Sequence, residues 1–119
     1  MKEIKAYVRT FKVEEVIRDL ETAGVPGVCV IDVNTICFPS EVELEHKRMS
    51  LEYGENYHHV SKLEIVCQDA DTTRFVDVIQ KRAYTSHKGD GYIFVSEIKE
   101  ALKIRTGERD DAALQTDLN

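Results

Sequence analysis

Residues 2–33, KEIKAYVRTFKVEEVIRDLETAGVPGVCVIDV, change hydrophobic period twice. Over residues 2–9, Ile4, Ala6 and Val8 alternate with Lys5, Tyr7 and Arg9. That two-residue period predicts a half-buried strand. From Val13 onward Val13, Val16, Ile17 and Leu20 line one face of a helix, and Glu14, Glu15, Arg18 and Asp19 face water. Gly24 is placed to end the helix as a left-handed cap, with Pro26 just beyond it. Residues 28–33 then read as a second strand, β-branched and almost continuously apolar.

Working outward, no helix or strand period persists from Thr35 to about His59. A connection of that length inside a compact domain is a candidate functional loop. Alternation resumes over residues 60–67, with Ser61, Leu63, Ile65 and Cys67 on one side and Val60, Lys62, Glu64 and Val66 on the other. Asp69 and Asp71 are positioned to open a helix whose buried face is Phe75, Val78, Ile79 and Ala83. A strand is expected at 92–95. Ser96 then caps a short helix with Ile98, Ala101 and Leu102 inward, and a polar tail over 110–119 is expected to be mobile at its end. Strand, helix, strand, long loop, strand, helix, strand predicts an α+β class. The architecture is a ferredoxin-like split βαβ sandwich, with a four-stranded antiparallel sheet and two main helices. One sheet face stays uncovered in such a fold, and a chain this small is expected to bury it in an oligomer.

At 119 residues the chain fits one domain spanning 1–119. Its 42% hydrophobic and 32% charged residues describe an ordinary globular protein, and a net charge of −6 argues against nucleic-acid binding. No apolar run reaches the length of a membrane span, so no direct membrane insertion is expected and a cytoplasmic location is the default. Three cysteines, Cys29, Cys37 and Cys67, make an odd count without a C-x-x-C, which argues for reduced thiols. Cys29 and Cys67 read as small apolar fillers of the interior.

The candidate site lies in residues 85–109, TSHKGDGYIFVSEIKEALKIRTGER. Lys88-Gly89-Asp90-Gly91 is a glycine loop whose backbone amides can form an anion-binding nest. Arg105-Thr106-Gly107-Glu108-Arg109 brings two guanidinium forks suited to phosphate. Taken as strings, GDGYIFVSEI and IRTGERDDAAL closely resemble the last third of the PII signal-transduction family. Phe11-Lys12, the turn Ala23-Gly24-Val25-Pro26-Gly27 and residues 60–68 extend the resemblance over nearly the whole chain.

The resemblance implies a homotrimer with ADP or ATP bound as effector between subunits. It also implies a long T-loop, here about 36–58, that acts on a membrane transporter or metabolic enzyme. The family's B-loop falls at about 84–91 and its C-loop at about 103–112. Carried over by motif, nucleotide contacts are expected from Thr85, Lys88, Gly89, Asp90, Gly91, Tyr92, Lys103 and Arg105, with Glu64 and Cys29 near the adenine. A regulatory role, not an enzymatic one, follows. The departures are specific. Tyr92 stands at the usual B-loop lysine and Lys103 at an arginine, so ADP or AMP is expected to compete well with ATP. At the T-loop base Thr35-Ile36-Cys37-Phe38-Pro39 lacks the family's glycines and glutamine, and Val60 stands at the lysine that pairs with the ketoacid. Standard 2-oxoglutarate sensing is therefore not expected, and a role for magnesium is left open. Tyr53 falls where some relatives are uridylylated, but its neighbours do not match that site. Two alternatives stay open: a related regulator responding to inorganic carbon, and a CutA-like metal-binding trimer using His46, His58, His59 and Cys37.

Overall fold

The computed structural model describes residues 1–36 and 57–115, with the side chains of residues 57 and 58 not among them. Most of the expected T-loop, with Cys37, His46 and Tyr53, and the side chain of His58, lie outside the described residues. Strand β1 (Lys2–Arg9) leads through a 3-10 turn (Thr10–Lys12) into helix α1 (Val13–Thr22). Strand β2 (Cys29–Ile36) and strand β3 (Tyr57–Cys67) follow, then a second 3-10 turn (Asp69–Asp71), helix α2 (Thr72–Ala83) and strand β4 (Tyr92–Glu97).

The four strands form one sheet in the order β2-β3-β1-β4, every pairing antiparallel. This is the split βαβ arrangement expected from the sequence, in which β3 inserts between β1 and β2. Both strands beside the long connection run further than periodicity indicated. The pairs Asn34↔His59, Thr35↔His58 and Ile36↔Tyr57 extend the β2–β3 ladder, because β-branched and aromatic residues suit a pleated surface.

Both helices cover one face of the sheet. Ile4, Ala6 and Val8 of β1 and Leu63, Ile65 and Cys67 of β3 are buried there beneath Val16, Leu20, Phe75, Ile79 and Ala83. The alternation in β1 and the helical stripe in α2 are what put these side chains inward. Helix α1 ends as expected. Gly24 has φ +99°, its N–H donates to Glu21 O at 3.0 Å and that of Val25 donates to Leu20 O at 3.0 Å, a Schellman closure.

Three expectations need correction. Residues 98–102 do not form a helix: Ser96 pairs with Glu3 inside β4, and Ile98 N–H donates to Met1 O at 3.1 Å. Leu102 instead bridges to Arg109 and is exposed. Backbone donors that a helical turn would need are taken by β1 and by the hairpin. Asp69 and Asp71 precede α2 without capping it, since Asp69 takes the N-terminal ammonium at 2.9 Å and Asp71 pairs with Arg74 at 3.1 Å. Cys67 is buried as read, but Cys29 is exposed, because register sets it beside Glu64 on the sheet face that the helices leave uncovered.

The second sheet face is bare. Register places Lys5, Tyr7 and Arg9 of β1 beside Glu64, Lys62 and Val60 of β3, with Phe94 and Tyr92 of β4 on the other side. Phe94 is 54% and Tyr92 72% exposed, so large apolar rings meet solvent on this side of the single chain.

Candidate functional site

The glycine loop between α2 and β4 is curled by positive φ at Ser86 (67°), Gly89 (94°) and Gly91 (103°). Gly91 is required by packing within the chain. A Cβ there would lie 1.7 Å from the carbonyl oxygen of Tyr7. The loop therefore lies directly on the end of β1, and a close approach to β1 accounts for this glycine before any ligand does.

Asp90 is the centre of the loop's hydrogen bonding. Its carboxylate accepts the Thr85 N–H at 2.8 Å, the Thr85 hydroxyl, and Arg9 Nε–H at 3.1 Å. A terminal nitrogen of Arg9 donates to Lys88 O. The two bonds from Thr85, followed by the Arg9 bond and charge, hold the Asp90 carboxyl down at about 2. Asp90 is thus an ionised latch whose acceptors are turned toward its own chain, where they hold the loop in shape. Arg9 escaped the sequence reading as a site residue. Its strand parity already put it on the open face, but its meeting with Asp90 depends on pairing across 81 positions.

Tyr92 opens β4 opposite Tyr7 and stacks on Phe94, ring centroids 5.9 Å apart and planes 16° from parallel. Tyr7 meets Phe94 edge-on at 6.1 Å. These rings and the glycine loop wall a cleft of about 510 Å³, with Thr35 and Val60 opposite. Both departures at the T-loop base therefore face the same space as Tyr92. The wall they form there is apolar or hydroxylic where the family resemblance expects a cation.

Cys29 and Glu64 are direct cross-strand partners in the β2–β3 ladder, and Lys62 Nζ lies 3.1 Å from the Glu64 carboxylate. That bond raises the Lys62 pKa above its ordinary value. The third group of candidates is far away. Tyr7↔Tyr92 and Lys2↔Glu97 mark opposite ends of the β1–β4 pair, and the five steps of strand between them, at about 3.3 Å each, separate them by roughly 17 Å. Beyond Glu97 the chain forms a hairpin. Lys103 N–H donates to Glu108 O at 2.9 Å, and Gly107 N–H to Lys103 O at 2.8 Å. Lys103 Nζ donates to Gln115 O at 2.8 Å, and Gln115 borders a cleft shared with Cys67 and Gln68, at the Lys2 end of the sheet. The glycine loop and the Lys103–Arg105 segment thus sit at opposite ends of one chain.

Among the described residues no group of three or more His, Cys, Asp or Glu side chains converges as a metal site. His59 is exposed on the β2–β3 ladder. Also among the described residues, no helix is long and apolar enough to cross a membrane.

Comparison with known proteins agrees with this geometry. The family model described as Nitrogen regulatory protein P-II matches residues 1–108. Nitrogen regulatory protein GlnK of Escherichia coli K12 is 33% identical over 114 residues, covering 96% of this chain and all of the relative. Nitrogen regulatory protein P-II of Rhodospirillum rubrum is 36% identical over 114 residues with the same coverage. That of Bradyrhizobium diazoefficiens is 37% identical over 108 residues, 91% of this chain and 95% of the relative.

Proposed function

This chain belongs to the nitrogen regulatory protein P-II family, and from that membership we propose that it is a homotrimeric signal-transduction protein that binds adenine nucleotide between subunits. The effector is ADP or ATP, with AMP competing, and the output is regulation of a membrane transporter or metabolic enzyme through residues 36–58. One observation carries the reading. The glycine loop and the hairpin bearing Lys103 and Arg105 lie at opposite ends of β4. A single phosphate chain cannot span both ends within one subunit, so a ligand that uses both loops bridges two copies. The bare sheet face with Tyr7, Tyr92 and Phe94 supports the same assembly, since a second copy would remove these rings from water.

The cleft walled by Thr35, Val60 and Tyr92 argues against 2-oxoglutarate as second signal. A ketoacid with two carboxylates would lose water there without meeting the family's lysine or glutamine.

Titration calorimetry with ADP, ATP and AMP, together with light scattering for subunit number, tests the proposal. Arg105→Ala is expected to weaken ADP binding by about 10- to 100-fold, the loss of one charge-assisted phosphate contact. Absence of nucleotide affinity in the native protein, with tight zinc or copper binding instead, would overturn this reading in favour of the metal-binding trimer.

A further inference from the structure

We propose that Arg9 is a positioning residue: it fixes the shape of the glycine loop through Asp90 and Lys88 and joins that loop to the first residues of β3, without itself holding the ligand. The proposal rests on the nucleotide reading above for its functional consequence, and on geometry for its structural part.

Arg9 is the last residue of β1, on the open face of the sheet. Its guanidinium points in two directions at once, Nε to Asp90 Oδ1 at 3.1 Å and a terminal nitrogen to Lys88 O. The same group lies close against the loop, with a terminal nitrogen 3.1 Å from where a Cβ on Gly89 would be. A planar fork suits this task, because one rigid group ties two points of a turn together. The charge of Arg9 is also matched by the Asp90 carboxylate, so the pair adds little net field for an incoming phosphate. Its contribution is shape.

The other side of Arg9 faces the signalling end of the molecule. Arg9 pairs in register with Val60. The next residue, Thr10, has its hydroxyl 3.2 Å from the Ser61 hydroxyl and 3.5 Å from the His59 carbonyl oxygen. Ser61 is 1% exposed, so this contact satisfies a buried polar group. Arg9 at the end of β1 and Thr10 at the start of the 3-10 turn therefore touch, in succession, the glycine loop and the opening part of β3. A nucleotide that repositions the glycine loop acts on β3 through them.

The test combines calorimetry with ADP and hydrogen–deuterium exchange on the full chain, comparing native protein with Arg9→Gln, Arg9→Lys, Asp90→Asn and the Arg9→Gln/Asp90→Asn double variant. Positioning predicts faster exchange over residues 85–91 in ligand-free Arg9→Gln. It also predicts ADP binding weakened about tenfold by Arg9→Gln in native background but less than about threefold when Asp90 is already Asn, since residues in one network are not additive. Arg9→Lys keeps the charge and loses the fork, so it is expected to resemble Arg9→Gln. At saturating ADP the ligand-induced change in exchange over 57–61 is expected to disappear in Arg9→Gln. An equal loss of affinity in both backgrounds, or full rescue by lysine, would mean that Arg9 meets the phosphates directly and would overturn the proposal. Unchanged exchange over 85–91 in Arg9→Gln would overturn it as well. If the native protein binds no ADP the nucleotide reading fails, and exchange over 85–91 still decides the role of Arg9.

Discussion

Gly91→Ala isolates how closely the glycine loop is pressed onto β1. Two penalties combine at this position. At φ +103° an L side chain is strained, which costs about 1–2 kcal/mol. The new methyl would also stand 1.7 Å from Tyr7 O, against an ordinary carbon–oxygen approach of about 3.3 Å. Loop and strand would have to part by roughly 1.6 Å to relieve this. The colliding atom is backbone, so no rotamer change can accommodate it, and overpacking of this kind costs a further 1–3 kcal/mol, roughly. The expected loss is therefore about 3 kcal/mol. Gly107→Ala is the control, because φ there is +74° but nothing lies within 4 Å of the added methyl. It carries the dihedral penalty alone, about 1 kcal/mol. Urea unfolding followed by far-ultraviolet circular dichroism measures both, at one protein concentration because subunit assembly shifts apparent stability. If the two variants agree within about 0.5 kcal/mol, the contact between Gly91 and Tyr7 does not constrain the loop and the reasoning fails.

Two further outcomes follow from the same structure. The Asp90 carboxyl is held at about 2, below its unfolded value, so the order it lends the loop is complete above pH ~4 and is lost as pH falls from there through about 2. Protection from hydrogen exchange over 85–91, taken relative to the intrinsic rate at each pH, should fall across that window in native protein and show no such fall in Asp90→Asn; a parallel fall in the variant would assign the transition to another group. Phe75→Ala removes a ring that is 2% exposed beneath α2, and about 3–5 kcal/mol should be lost in urea unfolding. A loss below about 1 kcal/mol would show that the helix–sheet interface repacks freely.

The fold was largely legible because its information is local. Ile4, Ala6 and Val8 at spacing two, and Phe75 and Ile79 at spacing four, declare a strand face and a helix face from backbone geometry alone. The failures have physical causes as well. Ser96 has the chemistry of a helix cap, yet β1 offers Glu3 as a ladder partner, and that pairing draws Ser96 into β4. Cys29 has the character of an interior residue, yet its pairing with Glu64 puts it on the bare face of the sheet. Local preference lost in each case to a partner distant in sequence.

By itself, the sequence determined the six elements, the composition of the core and the presence of a glycine loop and a cationic loop on either side of β4. It also identified the substitutions Tyr92, Lys103 and Val60 that set this chain apart from the pattern it resembles. Only the tertiary structure decided where these features stand. Strand register, which forms between segments up to 95 positions apart, carries the two loops to opposite ends of one subunit. The same register brings Arg9 onto Asp90, and turns Thr35, Val60 and Tyr92 toward one cleft. Periodicity fixes which face a side chain takes, because backbone dihedrals are local. Which residue it meets on that face is set by hydrogen-bonded pairing between distant strands, and a single sequence does not spell that out.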